Sequence, residues 1–108
     1  MVEHRQYKRT PVELPLEFVS SNTRERTAGK AMDLAVGGMF VQTPNPAVFG
    51  TEVVLFVTFP GERREMQLPA IVRWMRSGHG MGVQFGLLGA RETHAIMEAT
   101  RAAKGPGG

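Results

Sequence analysis

Alternation of apolar and polar residues restricts the fold of this chain more than any other feature of its sequence. In the first alternating stretch the apolar positions are Val12, Leu14, Leu16 and Phe18. Because successive side chains of a strand point to opposite faces, this stretch predicts a strand with one buried face. Pro15 lies within it and lacks a backbone N–H, so we expect this strand at a sheet edge or beside a bulge.

Five further strands are predicted, over residues 24–33, 38–43, 53–59, 65–75 and 81–85. Residues 65–75 alternate again, 53–59 form an apolar run rich in β-branched and aromatic residues, and 24–33 are polar and suit an exposed strand. Segments rich in turn-forming residues separate these strands, and the 13 glycines and 7 prolines of the chain favour many turns. Short strands at this spacing indicate an antiparallel sandwich or a small barrel, and closure of the sheet protects its edges. The aromatic residues expected in the core are Phe18, Phe56 or Phe59, and Trp74.

The last part of the chain has a different character. Residues 90–103 favour a helix, in which Ile96, Ala99 and Ala103 form one apolar stripe that can lie on the barrel. Gly105 is expected to end this helix.

The length of 108 residues suits one domain. We predict a flexible basic arm over residues 1–10, a barrel with its helix over 11–104 and a disordered tail over 105–108.

Composition argues against several classes of protein. The absence of cysteine excludes a disulfide scaffold, thiol catalysis and cysteine-based metal sites. No apolar run approaches about 18 residues and no apolar signal core is present, so we expect a cytoplasmic protein without membrane insertion. His4, His79 and His94 lack metal-ligand spacing, and Asp33 is the only aspartate. Nucleophile-elbow and phosphate-loop motifs are missing too, so we predict no enzyme, no metal and no cofactor.

The net charge of +3 is concentrated near the N-terminus, where Arg5, Lys8 and Arg9 oppose Glu3. Such an arm suits DNA, RNA, acidic lipid or a small phosphate ligand, and it is also typical of a solvated tail. Barrels that bind single-stranded nucleic acid stack bases on exposed aromatic residues. Here the aromatic residues are expected in the core, except Tyr7 in the arm, which argues against a nucleic-acid partner.

Two short motifs carry polar groups that could bind a ligand. One lies immediately before the first predicted strand, and the other lies at the junction of two predicted strands. Arg5 and Arg9 form R-x-x-x-R, and guanidinium forks bind phosphates or the O6/N7 edge of guanine. Asp33 opens a D-x-A-x-x-G segment, and its carboxylate can accept hydrogen bonds from the N1–H and N2–H edge of guanine. Gly37 and Gly38 permit positive φ and a close ligand approach. Taken singly, the motifs are also typical of a surface basic pair and of a tight turn.

Together and in this order, the motifs resemble those of the PilZ domain family, bacterial receptors for cyclic di-GMP. The segments 71–74 (IVRW) and 80–85 (GMGVQF) extend the resemblance over about residues 4–103. The resemblance implies a mainly β fold, a six-stranded antiparallel PilZ-like barrel with one C-terminal helix. It implies that the arginines grip phosphates and guanine faces, Asp33 binds a guanine edge and Gly38 makes room. The ligand-binding residues so predicted are Arg5, Arg9, Asp33, Ala35, Gly37 and Gly38, with His4, Lys8, Trp74 and Gly82 as further candidates.

Ala35 departs from the family pattern, which has serine at this position. The missing hydroxyl removes a hydrogen bond worth about 0.5–1.5 kcal/mol, which corresponds to about tenfold in affinity. The leading hypothesis is a cyclic di-GMP effector that signals through a protein partner. The alternative is a degenerate adaptor that binds a partner without nucleotide, for example in motility or pilus regulation. The resemblance leaves open whether one dinucleotide or a pair binds, a choice on which the residue before the first arginine, His4, has an influence. It also leaves open whether the protein is a monomer or a dimer.

Overall fold

The structure, a computed structural model, describes residues 9–104 and contains six strands and one helix. In chain order these are β1 (Thr10–Ser20), β2 (Thr27–Ala35), β3 (Gly38–Gln42), β4 (Glu52–Val57), β5 (Met66–Arg76), β6 (Gly80–Phe85) and α1 (Ala90–Lys104). The strands close into a barrel in the order β1-β2-β3-β6-β5-β4, and all neighbours are antiparallel. The predicted six-stranded antiparallel barrel with a C-terminal helix is confirmed.

The barrel interior is filled by the inward-facing residues of the alternating strands. On β4 these are Val53, Leu55 and Val57, and all three are buried. Phe18 and Phe59 are also buried in this core, as predicted. Their burial removes apolar surface from water, which is the main source of stability in a barrel of this size.

Arg26 marks where the structure departs from a predicted strand boundary, because β2 begins at Thr27 and not at residue 24. The Arg26 guanidinium lies 3.8 Å from the centroid of the Phe56 ring. It also pairs with Glu17 at 3.0 Å and with Glu65 at 3.4 Å. Of the two phenylalanines considered for the core, Phe56 therefore lies on the outer surface beneath a cation, and Phe59 is the buried one.

Pro15 lies beside an irregularity, as predicted. The register of β1 against β2 shifts between Pro11 and Leu14, and the pairing of β1 with β4 starts only at Leu16. Pro15 thus lies just before the part of β1 that pairs with both β2 and β4. A residue without a backbone N–H is tolerated at such a position.

Trp74 is not in the core, so that prediction was wrong. The register of β5 against β6 shifts between Val72 and Trp74. The extra residue, Arg73, breaks the strict alternation, and both Arg73 and Trp74 face outwards. Trp74 is 49% exposed.

Helix α1 contacts β1 and β2. Ile96 and Ala99 are buried as predicted, and Ala95 is buried beside them. Ala103 is exposed, so the predicted stripe is one turn too long, because the last turn of α1 extends beyond its contacts with the barrel. The predicted helix end at Gly105 and the tail lie outside the described residues. Within residues 9–104 no helix is both long and apolar enough to cross a membrane.

Gly38 allows β3 to lie close against β6. A Cβ at this position would overlap the carbonyl oxygen of Val83. Gly38 does not adopt the positive φ that glycine permits, since the glycines with positive φ in the described chain are Gly50, Gly61 and Gly78. The space at Gly38 is thus taken by the neighbouring strand.

Replacing Gly38 by alanine should lower the free energy of unfolding by roughly 1–3 kcal/mol, because the new methyl group forces the two strands apart. Gly86→Ala is the matched control, since a Cβ there meets nothing nearer than Pro69 Cβ at 3.6 Å. Urea unfolding measures both variants. An unchanged unfolding midpoint for Gly38→Ala would contradict the close approach of β3 and β6.

Candidate functional site

One row of residues crosses four strands on the outer surface of the barrel. The register pairs Asp33 with Phe40, Phe40 with Gly82, and Gly82 with Trp74. Neighbouring strands lie about 4.8 Å apart, so the row spans roughly 14 Å along the sheet. It brings Asp33, Gly82 and Trp74, which the sequence analysis predicted separately, onto one continuous surface.

Asp33 is the anchor at one end of this row. Its Oδ1 accepts a hydrogen bond from the backbone N–H of Phe40 at 2.8 Å. The same oxygen accepts a hydrogen bond from Nη1 of Arg9 at 3.0 Å. Both charged side chains are partly exposed. The second arginine of the R-x-x-x-R motif is therefore held against the barrel immediately before β1.

An aromatic pair forms the other end of the row. The rings of Phe40 and Trp74 are stacked, with centroids 5.4 Å apart and planes inclined by 16°. A Cβ on Gly82 would overlap Nε1 of Trp74, and one on Gly80 would lie 2.6 Å from Cζ of Phe40. The missing side chains of β6 thus provide the space in which the two rings lie.

Ala35 and Gly37 lie next to Asp33 at the β2–β3 turn. Two positions beyond Asp33 on β2, Ala35 faces the same side of the sheet, is 5% exposed and is paired with Gly38. A serine here would place its hydroxyl on the face that carries the Asp33 carboxylate. The carbonyl of Gly37 accepts a hydrogen bond from the N–H of Phe85 at 2.9 Å, which ties the turn to the end of β6.

Three predicted site residues, His4, Arg5 and Lys8, lie outside the described residues. The structure brings Arg9 and Asp33 into contact, and it brings Gly82 and Trp74 into contact at the far end of the row. His79 and His94, which were not expected to bind metal, are exposed on separate elements. Among residues 9–104, no three His, Cys, Asp or Glu side chains are grouped as metal ligands.

The sequence analysis missed Phe40 and Arg73 as members of this surface. Arg73 donates a hydrogen bond from Nε to Oε1 of Gln84 at 2.7 Å, which holds a second cation next to Trp74. The position of Phe40 could have been predicted from the sequence, because a two-residue turn after Ala35 places it opposite Asp33. The position of Arg73 could not, because its outward orientation depends on the bulge in β5.

The family model of the PilZ domain matches residues 3–99, so this chain belongs to the PilZ domain family. The match indicates a regulatory binding domain and no catalytic family. A comparison with curated proteins finds no match.

Several solved structures have a similar fold. The PilZ domain of CeSA from a cellulose-synthesizing bacterium is 21% identical, with a TM-score of 0.68 over 90% of this chain and 98% of that one. The Bacillus subtilis inhibitor of motility MotI/DgrA is 20% identical, with a TM-score of 0.76 over 95% and 52%. The PilZ domain of Escherichia coli YcgR, solved with cyclic di-GMP, is 11% identical, with a TM-score of 0.74 over 94% and 92%.

The two contacts of Asp33 should contribute unequally to stability. Arg9→Ala removes a partly exposed ion pair and should cost about 0.2–1 kcal/mol of unfolding free energy. Asp33→Ala also leaves the Phe40 amide without its acceptor and should cost about 1–3 kcal/mol more. Asp33→Asn keeps an acceptor oxygen and serves as the control. If chemical unfolding gives equal losses for Arg9→Ala and Asp33→Ala, the Phe40 amide does not depend on this carboxylate.

Proposed function

We propose that this protein is a non-enzymatic, cytoplasmic effector that binds cyclic di-GMP and signals through a protein partner. The observation that carries the proposal is the contact of Arg9 with Asp33 at one end of a surface row that ends in the exposed ring of Trp74. The row thus offers a cation, a carboxylate and an aromatic face, which are the groups that a guanine dinucleotide requires.

Asp33 and Arg9 retain binding capacity beyond their mutual contact. A carboxylate accepts about four hydrogen bonds, so Asp33 can accept from the N1–H and N2–H groups of guanine in addition to its two observed donors. Arginine carries five N–H donors, and within residues 9–104 Arg9 uses one of them, on Asp33. Its remaining donors suit a phosphate or the O6/N7 edge of the base.

Trp74 supplies a face on which a base can stack. Stacking of a base on an exposed aromatic side chain is worth about 1–3 kcal/mol. Gly82 keeps this ring against the sheet, and Arg73 adds positive charge next to it. The YcgR PilZ domain, which shares this fold, was solved with cyclic di-GMP.

In the proposed mechanism, Arg5, assisted by His4 and Lys8, closes over the dinucleotide while Arg9 stays at Asp33. The ligand adds negative charge next to Arg9 and brings Arg5 over itself, so a different surface meets the partner. The ligand can shift this equilibrium only by its differential affinity for the closed arrangement.

Ala35 supports a second candidate function, that of an adaptor that binds its partner without nucleotide. A family position that normally carries a hydroxyl is here occupied by a methyl group with little exposure. The backbone around it is retained, including the Ala35–Gly38 pair. A protein that keeps the barrel and loses one ligand contact fits such an adaptor.

Isothermal titration of the parent with cyclic di-GMP tests the leading function. Arg9→Ala should weaken binding about tenfold or more, because a hydrogen bond to a charged group is lost. Arg64→Ala, which removes an exposed arginine from the β4–β5 turn, is the matched control and should bind as the parent does. The effector function fails if tens of micromolar parent give no heat and Arg9→Ala behaves identically.

Ala35→Ser separates the two functions. If the parent binds and the serine variant binds about tenfold more tightly, the effector function is supported. If only the serine variant binds, the natural protein is the adaptor. Titration with a single-stranded oligonucleotide at two salt concentrations covers the nucleic-acid alternative, which requires a steep loss of affinity with salt.

A further inference from the structure

Phe40 lies at the centre of the row and contacts both of its ends. Its backbone N–H donates to Oδ1 of Asp33 at 2.8 Å. Its ring stacks on Trp74 with centroids 5.4 Å apart. One residue therefore touches both the carboxylate and the aromatic face that the proposed function uses.

The surface beneath Phe40 restricts where its ring can lie. Gly80 and Gly82 are two positions apart on β6, so they open the same face of the sheet. The Phe40 ring lies above Gly80 and the Trp74 ring above Gly82. Each ring thus has the β6 backbone on one side and the other ring next to it, so a shift of Phe40 displaces Trp74.

We propose that Phe40 is a positioning residue that holds Asp33 and Trp74 in one arrangement before any ligand binds. The amide sets the orientation of the carboxylate, and the ring sets the orientation of the indole. The consequence for ligand affinity rests on the proposed function. The arrangement of the two side chains without ligand does not, and it can be measured separately.

The fluorescence of Trp74 gives a direct measurement, because the chain contains 1 tryptophan. Without nucleotide, Phe40→Leu should increase the quenching of Trp74 by acrylamide, since the stacked ring is lost while the amide remains. Phe40→Tyr keeps the ring and should retain the parent quenching. Phe49→Leu makes the same change at an exposed phenylalanine of the β3–β4 loop, and it should have no effect.

A second pair of variants tests the link to the carboxylate. Asp33→Ala removes the acceptor of the Phe40 amide and should also increase the quenching of Trp74, although Asp33 does not touch the indole. Asp33→Asn keeps an acceptor and should leave the quenching unchanged. Circular dichroism identifies any variant that fails to fold, and the remaining variants still give the comparison. If Phe40→Leu and Asp33→Ala both fold and quench as the parent does, the inference is overturned.

Affinity for cyclic di-GMP gives the third measurement. Phe40→Leu should weaken binding roughly three- to tenfold, the factor for loss of one aromatic pair contact. In a Trp74→Leu background the same substitution should have no further effect, because Phe40 acts through Trp74. Equal weakening in both backgrounds overturns the inference while the proposed function stands. If the parent binds no nucleotide, the proposed function fails, and the quenching results still decide the role of Phe40.

Discussion

The pairing of β3 with β6 is the contact on which both the barrel and the candidate site depend. It joins residues 38–42 to residues 80–84, far apart in sequence, and it requires the close approach that Gly38 permits. The same register sets Phe40 opposite Gly82 and thereby aligns Asp33 with Trp74. A slip of one residue would turn Phe40 to the interior. The same strand pairing therefore contributes both to closure of the barrel and to the surface row.

Sequence patterns predicted the barrel because its interior positions alternate strictly, as on β4. They failed at Trp74. The apolar alternation continues through this residue in the sequence, but the bulge in β5 turns its side chain to the outer face. Ala103 was assigned to the buried stripe because helix periodicity does not specify where the barrel surface ends. For the site, Asp33 and Arg9 were identifiable from motifs. Their contact was not, because it spans 24 positions and depends on where β1 begins.

The substitution at position 35 leaves the support of the site intact. The orientation of Asp33 is set by the Phe40 amide and by Arg9, and neither group contacts residue 35 through a hydrogen bond of the described chain. The β2–β3 turn is held by the bond between Gly37 and Phe85. Alanine in place of serine therefore leaves the scaffold as it is. Under the proposed function, any effect of the missing hydroxyl falls on the contact with the ligand alone.

The stacked rings of Phe40 and Trp74 determine the shape of the surface that the proposed function uses. Gly82 leaves the space that Nε1 of Trp74 occupies, and Gly80 lies under both the carbonyl oxygen of Val41 and the ring of Phe40. An aromatic pair contributes about 0.5–1.5 kcal/mol beyond its buried area. Its geometric effect is that Trp74 lies with about half of its surface exposed, in line with a carboxylate and a guanidinium. For the proposed planar, charged ligand, such a preformed surface lowers the entropy cost of binding, because the contacting side chains are already ordered.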